Sequence, residues 1–242
     1  MQNYQFSLAI LQSLYASDPT ALRTRRRLGL IYERIGSILE AEGNTSGALD
    51  AYRKSLTLRE ALVVDYPTNT DAIRDVAIAH EKIGNAMTAM GNLTAAFESR
   101  AKSLEIFKGL VKADPQNVQA QRSLAISYVH MGDLFGNPDS MNLRRPDEAL
   151  QNYELALAIL QKVLPQGDVQ ISITEGALGE CLTAQKHYPE AEPLLVQGYN
   201  GVKGSLGEKD PRTIEALKRL VTLYRDWKKP DQAAQFSAML SR

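Results

Sequence analysis

The sequence predicts an all-α solenoid built from paired antiparallel helices, and three observations carry that reading. The first is a repeat. Ile35-Gly36, Ile83-Gly84 and Met131-Gly132 stand 48 residues apart, as do Tyr4 and Tyr52, Ala48 and Ala96, and Pro19, Pro67 and Pro115. Residues 23–70 and 71–118 share 15 identities in 48 positions, a density that marks a structural unit rather than a compositional bias. They include Arg26/Arg74, Glu33/Glu81, Gly43-Asn44/Gly91-Asn92 and Lys54-Ser55-Leu56/Lys102-Ser103-Leu104. The second is helical periodicity throughout, and the third is the lack of alternating Val/Ile/Thr runs and hairpin turns. A unit this short cannot bury its apolar face alone, so neighbours must stack. Such an array offers an extended surface for holding something, not a closed catalytic pocket.

Taken in order, residues 2–16 read as the second helix of a unit whose first helix is missing. Tyr4, Ser7, Leu8, Leu14 and Pro19 match Tyr52, Ser55, Leu56, Leu62 and Pro67. An uncapped apolar helix is a liability in water. A truncated array is expected here, or a homodimer that covers the edge through Phe6, Ile10 and Leu14. In residues 22–42, Leu28, Ile31-Tyr32, Ile35 and Ile38-Leu39 recur at three- and four-residue steps, which predicts an amphipathic helix. Gly43-Asn44 then tolerates a left-handed C-cap. A second helix runs through Ala48, Leu49, Tyr52, Leu56, Leu58 and Leu62 and stops before Pro67, because the residue ahead of a proline avoids the helical region. Asn69 and Asn117 are placed to cap the helices that follow.

Gly36, Gly84 and Gly132 fall inside helices, where glycine costs about 1 kcal/mol against alanine. Their recurrence at one phase predicts a close helix approach, with Ala48, Ala96 and Ala149 serving the facing helix. After Pro165-Gln-Gly167 the step shortens to 42: Asp168 to Asp210, Leu178 to Leu220, Ala191 to Ala233. One array is therefore expected over 1–242. It divides into 1–22, long units at 23–70, 71–118 and 119–167, and shorter units at 168–209 and 210–242, the last carrying a polar cap.

These residues carry a family resemblance. Small Gly/Ala positions on paired helices, an aromatic one turn before the apolar-Gly pair (Tyr32, His80, Tyr128) and a closing proline resemble the tetratricopeptide repeat. That family's usual period is about 34 residues. Two extra turns in each helix, about seven residues apiece, account for the longer unit. The phrases at 52–62 and 83–92 and the insert Gly136–Leu143 are similar to arrays C-terminal to bacterial Ser/Thr protein kinases, although no kinase motif is present. Asp210-Pro-Arg-Thr213 with Leu217, Leu220 and Tyr224 resembles the kinesin-light-chain type. The resemblance implies a right-handed superhelix of about eleven helices, one from the leading fragment and two from each later unit.

Composition excludes several functions. Lys+Arg and Asp+Glu both number 28, so no basic excess points to nucleic acid or an anionic membrane. Cys181, the only cysteine, sits in an apolar helical setting and reads as core. No run approaches the roughly 18 apolar residues of a membrane span. Met1–Gln5 lacks signal-peptide features. A soluble module is expected, cytoplasmic or extracytoplasmic if a membrane span precedes it in a longer protein. There is no phosphate-binding loop. His80, His130 and His187 have no partner at metal spacing, and no nucleophile–base set can be argued. His80 takes the place of Tyr32 and Tyr128 and reads as packing, His130 as surface, His187 as a hairpin turn. No enzyme, cofactor or metal is expected. Arg23 and Arg25–Arg27 spread around one helix and read as a solvated face.

One stripe is sharper. Arg26, Leu30, Glu33 and Ser37 share a face of the first helix. The following units repeat it as Arg74, Ile78, Glu81, Asn85 and as Arg122, Ile126, Asp133. In the resembled family this stripe lines the concave groove. The expectation is a protein or peptide partner, with an arginine row suited to carboxylate or phosphate, unless the arginines pair with Asp71 or Asp75. The family's clamp for chaperone C-terminal tails uses Lys/Asn. Glu33 and Glu81 replace its lysines, so that mechanism does not carry over. The alternative is an oligomerisation module that brings attached domains together.

Overall fold

A computed structural model describes residues 2–138 and 140–240 and is α-helical, with no strand among the described residues. The chain divides into two compact units, Met1–Gln116 and Asn117–Arg242. The first holds α1 (Gln2–Ser17), α2 (Leu22–Ala41), α3 (Thr45–Asp65), α4 (Thr70–Ala89) and α5 (Leu93–Ala113). Here α2 pairs with α3 and α4 with α5, while α3 packs on α4 and α1 on α2. The second holds α6 (Val118–Gly136), α7 (Pro146–Val163), α8 (Val169–Ala184), α9 (Tyr188–Leu206), α10 (Pro211–Asp226) and α11 (Pro230–Leu240). Its hairpins are α6–α7, α8–α9 and α10–α11, with α7 on α8 and α9 on α10.

The helix ends follow from local chemistry. Asn69 and Asn117 cap α4 and α6 by accepting the Ala72 and Ala120 amides at 3.1 and 2.9 Å. Asn44 and Asn92 do the same for α3 and α5, so the Gly-Asn pair serves two helices at once. Its glycine, at φ +78° or +76°, ends the first helix, and its asparagine starts the second. The turn closes in the Schellman manner. Asn44 N–H donates to Leu39 O at 2.8 Å and Gly43 N–H to Glu40 O at 3.0 Å. Asp168 and Asp210 cap α8 and α10.

The core repeats a knob and a notch. A Cβ on Gly36 would stand 2.5 Å from the Tyr52 ring, and one on Gly132 would stand 2.7 Å from the Tyr153 ring. Tyr52 and Tyr153 are each 1% exposed, and Ala48, Ala96 and Ala149 are fully buried. Full burial of such a ring is worth about 2–3 kcal/mol. In the middle repeat Arg100 stands where the tyrosines do, its Cγ 2.7 Å from where a Gly84 Cβ would be. Cys181 and His80 are buried as expected, while His130 is half-buried. His187 lies at the turn before α9.

Candidate functional site

The residues of the predicted stripe sit on α2 and α4 in the first unit and on α6 in the second, and on each helix the two ends differ. Its polar end is taken up by the paired helix. The Tyr52 hydroxyl donates to Glu40 at 2.8 Å and reaches Ser37 at 3.3 Å. The Arg100 guanidinium donates to Asn85 at 3.0 Å, and the Tyr153 hydroxyl donates to Asp133 at 2.8 Å. Ser37, Asn85 and Asp133 thus receive the polar tip of the side chain that fills each glycine notch. Burial pushes the Tyr52 phenol up to about 12 and the Tyr153 phenol well above its ordinary range, so both stay protonated donors. Glu33 accepts Arg59 at 2.5 Å in a nearly buried pair. Glu81 is buried.

The arginine end is more open. Arg26 is half-exposed and reaches Asp71 at 3.5 Å and Asp75 at 3.9 Å. Arg74 meets Asp71 at 3.2 Å. Burial raises the Asp75 carboxyl against the pull of Arg59, Arg26 and Arg74. Within the second unit, Arg122 Nε donates to Gln170 at 2.6 Å. Leu30 is exposed, while Ile78 and Ile126 are half-buried. The more exposed pairs that Arg26 and Arg74 make with Asp71, at 3.5 and 3.2 Å, contribute roughly 0–1 kcal/mol each.

The basic run behaves differently from a solvated face. Arg23, Arg26 and Arg27 are exposed, but Arg25 is buried, donating to Asp65 at 2.5 Å and to Thr20 O at 2.9 Å. One of the four arginines is a strut that ties α2 to the end of α3.

Three groups lie outside the stripe that the sequence singles out. Arg59 and Arg100 come from the second helices, and the clue to Arg100 is its 48-residue offset from Tyr52. In the second unit a groove of about 410 Å³ lies on α8 and α10. It is lined by Glu180, Thr183, Lys218, Arg219 and Thr222, with Arg219 paired to Glu180 at 3.0 Å. It occupies the first-helix face of the shorter repeats, where the 42-residue step could have located it. Among the described residues no cluster of His, Cys, Asp and Glu is suited to a metal, and no helix is long and apolar enough to cross a membrane.

No protein-family model and no curated relative matches the chain. Solved structures do. BtubC (BKLC) from P. vanneervenii superposes with a TM-score of 0.73 at 16% identity, over 100% of this chain and 88% of that one. A putative kinesin light chain from Podosopora anserina, with nearly identical TPR-like repeats, gives 0.61 at 17% identity over 89% and 95%. The apo form of RapI gives 0.59 at 13% identity over 98% and 96%. At these identities the likeness is one of fold. The helix hairpins, the glycine notches and these neighbours agree: the chain has the fold of the tetratricopeptide-repeat proteins.

Proposed function

We propose that this chain is a non-catalytic scaffold that holds a protein or peptide segment against the first-helix faces of its repeats. The observation that carries the reading is the half-open arginine end of the stripe. Arg26 and Arg74 share weakly held carboxylates there beside the exposed Leu30. Arg122 supplies the corresponding guanidinium on α6 in the second unit. A rigid, preformed helical surface leaves most of the ordering cost with the ligand, and arginine takes carboxylates in a bidentate fork. The test is affinity capture from the source lysate with wild type and with Arg26, Arg74 and Arg122 all changed to Glu. A protein retained by wild type and lost by a variant of unchanged helicity supports the reading. Equal retention by both sinks it. The narrower role, a docking arm of a larger signalling protein, draws on the resemblance to kinase-attached arrays. Co-purification of the full-length protein with a Ser/Thr kinase domain in the same polypeptide is its test.

A second reading has its own observation. Helix α1 carries no charged residue, and Phe6, Ile10 and Leu14 are 72%, 48% and 50% exposed. Leu58 and Leu62, the counterparts of Ile10 and Leu14 in α3, are buried. Self-association through α1 would cover them. Sedimentation equilibrium of wild type and Ile10→Glu decides it: a concentration-dependent mass that the variant abolishes supports the dimer, and a monomer at all concentrations removes it.

A further inference from the structure

The hairpin turns of the second unit carry a second repeat, distinct from the groove. Arg144-Arg145, Lys186-His187 and Lys228-Lys229 stand 42 residues apart, each pair just ahead of a helix that has Pro at its first or second position. In the first unit the corresponding turns are the uncharged Gly43-Asn44 and Gly91-Asn92. Arg144, Lys186 and Lys228 are the non-glycine residues at positive φ among the described residues, at 55°, 65° and 59°. L side chains occupy that region at an energetic cost that glycine does not incur. Three cations therefore sit where the first unit uses glycine, and held strain of this kind collects at functional surfaces.

The two members of each pair are used differently. The second is engaged. Arg145 pairs with Glu148 and covers the Phe135 ring at 4.8 Å. His187 meets Glu190 at 3.3 Å, and Lys229 stands 3.2 Å from the Trp227 ring centre and 3.8 Å from Glu192. The first is free: Arg144, Lys186 and Lys228 are exposed and make no ion pair among the described residues. Their backbones are nevertheless fixed. Lys186 N–H donates to Thr183 O at 2.9 Å and Lys228 N–H to Arg225 O at 3.1 Å. Arg144 N–H donates to Asn142 at 2.8 Å. Lys186 and Lys228 also line one open groove of about 630 Å³ whose wall includes Tyr188 stacked on Trp227 at 5.8 Å.

We infer that the turn edge of the second unit, presenting Arg144, Lys186 and Lys228, is a docking strip for an extended acidic segment of a protein. Packed helices lie about 8–10 Å apart, and an extended chain advances about 3.3 Å per residue. Successive turns lie one hairpin apart, between about one and two such spacings, so an extended chain with a carboxylate at every third residue brings one within reach of each turn. A polyphosphate backbone fits less well. Duplex DNA carries a charge every 1.7 Å or so, far denser than one free cation per turn can match. One face of Trp227 is taken by Lys229, which leaves it a poorer base-stacking platform.

The test uses a fluorescein-labelled fifteen-residue peptide with glutamate at every third position and Gly-Ser between. Its glutamine counterpart is the control, and binding is read by fluorescence anisotropy. The variant is Arg144→Gly/Lys186→Gly/Lys228→Gly, which removes the cations and relieves the backbone. Wild type should bind the glutamate peptide and not the glutamine one. The variant should lose at least fivefold in affinity while its Tm stays level or rises. Equal binding by the variant, or no binding of the glutamate peptide by wild type, overturns the proposal. So does tighter binding of phosphatidylserine vesicles or of a twenty-nucleotide single strand. Arg26, Arg74 and Arg122 are untouched by these changes, so failure here leaves the scaffold reading standing.

Discussion

Gly132→Ala is the most exacting test of how the hairpins are built. The new methyl would meet three atoms of the Tyr153 ring at 2.7–2.9 Å, well inside the roughly 3.5–4.0 Å at which carbon atoms attract. The ring must retreat by nearly 1 Å. It has little room, being 1% exposed and held at its far end by the 2.8 Å bond to Asp133. Overpacking of this kind costs about 1–3 kcal/mol, and a weakened hydroxyl–carboxylate bond adds about 1 kcal/mol. Alanine returns about 1 kcal/mol of helix propensity. The net loss is about 2 kcal/mol, which lowers Tm by roughly 4–8 °C for a chain of this size. Thermal melts followed by circular dichroism at 222 nm measure it. The same substitution in a Tyr153→Leu background should cost at least about 1 kcal/mol less, because the obstruction is gone. A Tm that rises on Gly132→Ala, as at an open helix position, refutes the knob-and-notch account. So does an equal loss in both backgrounds.

Three further outcomes follow from single residues. Arg25→Ala should cost about 1–3 kcal/mol in chemical denaturation, below the range for a fully buried pair because Asp65 is half-exposed. A loss no larger than that of Arg27→Ala would return Arg25 to the solvated face. Glu175 is buried one turn before Gly179, and burial raises its carboxyl pKa. The folded state therefore holds that proton more tightly than the unfolded one, and stability falls as pH rises from about 4.5 through the raised value. Glu175→Gln should raise Tm by a few degrees at pH 7 and by nothing near pH 4; a gain independent of pH would contradict this. His80 shifts the other way, lowered by burial and by Lys102, so its contribution is complete above about 6.5 and is lost as pH falls. Replacing it with tyrosine, as at Tyr32 and Tyr128, should flatten Tm between pH 7 and 5, whereas an unchanged slope would show that His80 does not titrate the fold.

Fold and site differ in how far the sequence reveals them. Gly36, Gly84 and Gly132 announce close packing because each gives up about 1 kcal/mol of helix propensity, and recurrence at one phase ties that loss to a shared contact. The capping asparagines are equally local. The stripe is harder. Helical spacing places Ser37, Asn85 and Asp133 on a common face, but spacing within one helix says nothing of what the facing helix sends across. Tyr52, Arg100 and Tyr153 reach them from there. Arg25 and Arg26 are neighbours of one kind, yet only the first points into the joint between α2 and α3. The basic turns are legible through their 42-residue step, but their strain is not, since φ is a property of the closed hairpin.

The hairpins also set how the chain gains and loses structure. Every helix pair is joined by a turn whose hydrogen bonds close within about ten residues, even across the insert after α6, where Arg145 N–H returns to Phe135 O at 2.8 Å. Contacts of such short sequence separation make for rapid folding that can begin at any hairpin and spread to its neighbours. Pulled from its ends, a chain wired this way should yield in successive small steps, each releasing one helix pair, rather than in a single rupture.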